Sequence, residues 1–145
     1  MAFRFSLATV LRVRESIEQR EERALQRIQL EMARVLRQIE ELSAEIARAH
    51  DAQEEALKQP IPAGYLHTLL WEAQAAEVRR KALLITLQSL EQQRDKQRKV
   101  YQAAHRKHET LISMKRDRRT AYELEQARTQ QKSLDDLFMA RRHRI

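Results

Sequence analysis

Two imidazoles three residues apart, His105 and His108, with a carboxylate beside them at Glu109, form a grouping that could hold a metal ion. On a helix that spacing puts both rings on one face. A fourth ligand and a closed pocket are missing, and solvated or seam histidines account for the pattern better. No metal and no cofactor is expected. There is no Gly-rich phosphate loop, no Gly-x-Ser-x-Gly turn, and no His/Asp/Ser grouping that two helices could gather in a pocket. No catalytic residue is assigned, and the chain is not read as an enzyme. Phosphate binding is the other chemistry on offer. Lys115-Arg116-Asp117-Arg118-Arg119 and Arg141-Arg142-His143-Arg144 could neutralise phosphates. Asp117 and the pair Asp135-Asp136 interrupt that charge, and no base-reading block precedes a leucine zipper. Nucleic acid is therefore not expected as a partner.

Those side chains must be positioned by helices. The chain is 34% charged and 42% hydrophobic, and its only helix breakers, Pro60, Pro62 and Gly64, fall within five residues. Such a composition belongs to coiled coils and long helices, and the apolar content is too high and too periodic for disorder. The +7 formal charge suits an acidic partner without naming one. No cysteine is present, which fits the cytosol. No apolar run has the length of a signal peptide core or a membrane span.

The expected fold is all-α, an antiparallel two-helix coiled-coil hairpin in one domain, 1–145. Helix 1 is expected over about 6–57, with Ser6 as its N-cap. Its seam reads Leu25, Ile28, Met32, Val35, Ile39, Leu42, Ile46, Ala49, alternating three and four without a slip. The pattern continues more weakly toward the N-terminus through Phe3, Leu7, Val10, Leu11 and Ile17, with Arg14, Glu18 and Glu21 at or near seam positions. The turn is expected at 58–64, because the residue before a proline is pushed out of the α region. Helix 2 is expected over about 65–140. Its seam runs from Leu66 to Leu111 at the same spacing, with polar residues at Arg80, Arg94, Gln97 and His108. A reversal near residue 61 makes facing positions sum to roughly 122 if both helices rise equally. Ile39 then lies near Leu83 and Phe5 near Asp117, and 118–145 is left as an overhang without a paired helix.

Two surfaces follow. On helix 2, Trp71, Val78 and Ile85 lie on one outward line with Ala75 and Ala82 between them. Chance scatter of small helix formers can produce such a line, but an outward tryptophan flanked by two branched residues favours a contact surface. The overhang carries Leu134, Leu137 and Phe138 at helical spacing. Residues 115–145 hold nine Lys or Arg and five Asp or Glu, an excess of +4. A frayed, solvated end accounts for the charge but not for the apolar trio. An unsupported helix is marginal in water, so this segment is expected to be only partly helical until a partner orders it.

The opening Phe3-x-Phe5-x-Leu7-x-x-Val10-Leu11-x-x-Arg14, the unbroken first-helix heptads, the mid-chain Pro/Gly break and the closing Gln131-Lys132-x-Leu134-Asp135-Asp136 followed by Arg141-Arg142 resemble the FliJ family of the flagellar type III export apparatus. The resemblance covers nearly the whole chain. It implies a hairpin similar to the γ-subunit stalk of rotary ATPases. It also implies a non-enzymatic stalk and adaptor that sits in the hexameric export ATPase, promotes ring formation, touches the cytoplasmic domain of the export gate and handles export chaperones. The implied location is cytoplasmic, peripheral at the inner face of the cell membrane. On this reading Arg116, Arg118, Arg119, Leu134, Leu137 and Phe138 meet the ATPase, and Trp71, Val78 and Ile85 meet the gate. The injectisome stalk homologue, a basic nucleic-acid-binding coiled coil and a self-associating rod are the alternatives.

Overall fold

A computed structural model describes residues 2–144. It contains two helices, α1 (Ala8–Leu57) and α2 (Ala63–His143), packed against each other as a helical hairpin. The described residues contain no cis peptide and no positive φ.

Helix α1 starts at Ala8, one residue later than a Ser6 cap requires. The amide of Ala8 donates to the carbonyl of Phe5 at 3.1 Å, and the Ser6 hydroxyl instead accepts from Arg118. At the far end, Lys58 and Gln59 donate back to Glu55 and Ala56 at 3.3 and 3.4 Å. These tight i→i−3 bonds satisfy carbonyls that the stopped helix would otherwise leave open. The reversal is 58–62, shorter than the breakers suggest. Pro62 directly precedes α2, where a missing N–H and a fixed φ do no harm. Gly64 is already helical, and a Cβ added there would meet nothing within 4 Å. No turn geometry calls for glycine at that position.

The chain divides into two compact units, one made of residues up to Glu21 and from Tyr101 onward, the other of Glu22–Val100. In the second, Met32, Val35 and Leu90 form the core, and Ile28, Ile39, Leu83 and Leu87 pack against it. Ile39 and Leu83 join one cluster, as the register near 122 expects. All eight α1 seam positions from Leu25 to Ala49 are buried or half-buried. Ala73 and Ala76 are buried, and Ala73 lines a shallow groove with Ala49, Ala52 and Leu69. The polar seam residue Arg80 is half-buried, and its Nε has no hydrogen-bond partner.

In the first unit, Phe5 and Ala104 are buried. Val10 is exposed at 41%, so the N-terminal seam does not include it. Leu7 and Leu11 take the inward face: at this point the seam takes its four-residue step, and Val10 falls beside it. Helix α2 continues to His143, further than about 140 and fully helical where partial order is expected. It grows from an existing helix, so no new nucleus is needed. Its last turn carries Arg141, Arg142 and His143, which complement the dipole. The overhang begins after Tyr122 rather than at 118. Residues 2–5 are not helical, and non-helical chain can advance about 3.3 Å per residue against 1.5 Å in a helix. Phe3 thereby reaches the Tyr122 ring, with centroids 5.6 Å apart.

Candidate partner-binding surfaces

The outward line on α2 is open to solvent. Trp71 is 68% exposed, Val78 62% and Ile85 70%. Seam spacing accounts for this: these residues follow the seam positions Leu69, Ala76 and Leu83 by two residues, on the face that α1 does not cover. Trp71, Gln74, Ala75 and Val78 line a shallow apolar depression along the helix. It can seat a side chain from outside, and it contains no titratable group to drive chemistry.

In the other unit, each residue of 123–144 is exposed. Leu134 and Leu137 are both 62% exposed, and Phe138 is 66% exposed. Together with Asp135 and Arg141 they line a second shallow depression. Leu124 and Met139 are exposed as well and enlarge the apolar surface beyond the expected trio. Leu124 falls on the same stripe as Leu134 and Phe138, as its spacing in the sequence shows, whereas Met139 is turned away from it.

The three arginines assigned to the same surface differ from one another. Arg118 is engaged within the unit. Its guanidinium lies 5.5 Å from the centroid of the Phe5 ring and donates to the Ser6 hydroxyl at 2.9 Å. Arg116 donates to Ser113 at 3.4 Å, and Arg119 to Glu123 at 3.3 Å, both along the helix surface. The last two remain on the solvent side and can exchange these weak contacts for others.

The histidine pair has a different partner from the one its local sequence suggests. His105 donates through Nδ1 to Glu18 Oε1 at 2.8 Å, and His108 donates through Nδ1 to Glu18 Oε2. The carboxylate thus comes from α1, and Glu109 stays exposed. A facing register near 122 already placed residue 18 opposite residue 104. Among the described residues no group of His, Cys, Asp or Glu is arranged to hold a metal. Burial pushes the Glu18 carboxyl up, but the hydrogen bonds from both histidines and their positive charge outweigh it, leaving the carboxyl below its usual value of 4.5. The Glu18 bond raises His105 above 6.5, against a smaller effect of burial, and the Glu18 and Glu109 charges add to the rise.

The sign of the pH dependence follows. The His105 contribution is fully present below its unfolded value of 6.5 and is lost as pH rises through the raised folded value. The Glu18 contribution is present above 4.5 and is lost as pH falls through the lowered one. The two overlap between those values. Melting temperatures of the parent and Glu18→Gln should therefore differ most between pH 4.5 and 6.5, and the difference should narrow as pH rises past neutrality and the His105 share is lost. A difference that stays constant from pH 5 to 9 would show that His105 carries no linked proton.

A family model described as Flagellar FliJ protein matches residues 3–144. No curated protein and no solved structure matches the chain.

Proposed function

Because the chain belongs to the FliJ family, a non-catalytic component associated with flagellar export, we propose that it acts as a stalk and adaptor of the export ATPase complex. In this reading the end of α2 enters the hexameric export ATPase and promotes ring assembly. The Trp71, Val78 and Ile85 line meets the cytoplasmic domain of the export gate, and the chain also serves export chaperones. It works in the cytoplasm, peripheral at the inner face of the cell membrane. No described helix is long and apolar enough to cross a membrane.

The supporting observation is that α2 outlasts its partner. Tyr122 is the last half-buried residue, and Leu134, Leu137 and Phe138 stand exposed beyond it. A helix that keeps three large apolar side chains in water has a face suited to a second protein. Exposed charge pairs contribute at most about 1 kcal/mol each. The apolar trio should therefore matter more for ATPase binding than Arg116, Arg118 and Arg119.

The test compares a chain truncated after Ala127 with an R116Q/R118Q/R119Q variant, each assayed for stimulation of the export ATPase. The truncated chain should lose stimulation and the arginine variant should keep most of it. Full stimulation by the truncated chain would refute insertion of this end.

A further inference from the structure

We propose that residues 123–144, the end of α2 and the turn residue that follows it, pair, antiparallel, with the same segment of a second copy of this chain. The pairing is independent of the export role, and it covers the Leu134 and Phe138 face assigned to the ATPase, so the two engagements exclude each other.

The segment is helical through His143 with each described residue exposed. Its own side chains support that helix weakly. Gln131 donates to Asp135 at 3.1 Å and Arg119 to Glu123 at 3.3 Å. Arg128 and Lys132, however, are like charges four residues apart, and Lys132 precedes Asp136 in the less favourable order. Such a helix needs a packed face.

One face has the required pattern. Leu124, Ala127, Gln131, Leu134, Phe138 and Arg141 alternate three and four residues apart, as a coiled-coil seam does. An antiparallel two-fold between Lys132 and Ser133 sets Leu134 against Gln131 and the large Phe138 against the small Ala127. The aliphatic stem of Arg141 then covers Leu124. A parallel pair instead stacks Arg141 on Arg141 and Gln131 on Gln131, which buries like charge.

Charge selects the occupant. Residues 123–144 hold four acidic side chains (Glu123, Glu125, Asp135, Asp136) and five basic ones (Arg128, Lys132, Arg141, Arg142, Arg144), a net of +1. In the antiparallel register Glu123 flanks Arg144, and Arg128 flanks Asp135, each twice across the two-fold. A uniformly acidic partner leaves Glu123 and Asp135 facing like charge. A second copy satisfies both signs.

Sedimentation of the full chain over a wide concentration range tests this. The parent should show a reversible monomer–dimer equilibrium. Arg128→Asp alone and Asp135→Arg alone each place like charges opposite one another, and each should associate about tenfold more weakly, since two exposed pairs per dimer are reversed. An equimolar mixture of the two variants restores opposite charges at both positions and should recover the parent's association. Both sites are exposed, so the fold is preserved. A parent that stays monomeric at all concentrations, single variants that dimerise like the parent, or a mixture no better than either variant would overturn the proposal. No ATPase enters the assay, so its outcome is separate from that of the stimulation test.

Discussion

Replacing Ile39 by alanine should lower the unfolding free energy by about 2–4 kcal/mol. Ile39 packs against the Met32, Val35 and Leu90 cluster together with Leu83. Removing its branched side chain takes apolar surface out of the contact and leaves a gap that two stiff helices cannot readily close. No side chain among the described residues is less than 2% exposed. A two-helix seam always has open flanks, so water and neighbouring side chains can relax into part of the space. Leu42 makes the comparison sharper. It lines an open groove with Leu83, Gln38 and Arg79, so Leu42→Ala should fall at or below the lower end of the same range. Leu30 is on the same helix but 71% exposed, and Leu30→Ala should change stability by no more than about 0.5 kcal/mol. Thermal or denaturant melts of the three variants should rank them in that order. An Ile39→Ala melt that superimposes on the parent's, or a costly Leu30→Ala, would reject the register in which α1 meets α2.

Trp71→Ala should do the reverse, leaving the melt unchanged and weakening a complex. The side chain is 68% exposed, so its loss removes little from the folded chain. If the Trp71, Val78 and Ile85 face binds the export gate, truncating its one large aromatic should weaken the complex by about 2 kcal/mol or more, as for a hot spot. That is roughly a thirtyfold rise in Kd. Trp71 is also the only tryptophan in the chain, so its emission should shift to shorter wavelength when the gate domain is added. An unshifted emission together with an unchanged affinity would remove Trp71 from the interface.

Sequence periodicity alone determined which face of each helix is covered. The α1 seam from Leu25 to Ala49 and the α2 seam from Leu66 to Leu111, polar members included, are all buried or half-buried. The same count put Trp71, Val78 and Ile85 on the outside. This was legible because a 3.5-residue repeat is a local property: each apolar residue states its own angle around the helix, whatever its partner. Likewise, two X-Pro steps stop a helix by backbone sterics, without tertiary help. The ends of the reversal were less legible. Gly64 reads as a breaker in sequence, yet it is helical, because glycine permits a turn without requiring one.

What only the tertiary structure decided is how polar groups pair across the seam. Glu18 lies 87 residues from His105 and 90 from His108 in sequence, and it takes both histidines. Glu109, the local candidate, is left in solvent. Arg118 sits in a basic run, but its guanidinium is held by Phe5 and Ser6. Tyr122 meets Phe3 because the first residues run on as non-helical chain. These contacts depend on the offset between two helices to within a single turn and on the path of the chain outside them. The position of the turn gives that offset only to within a residue or so, near 122, which places Glu18 opposite the histidines without saying that it takes both. A hydrogen bond, unlike apolar contact, is made or lost over a fraction of an ångström.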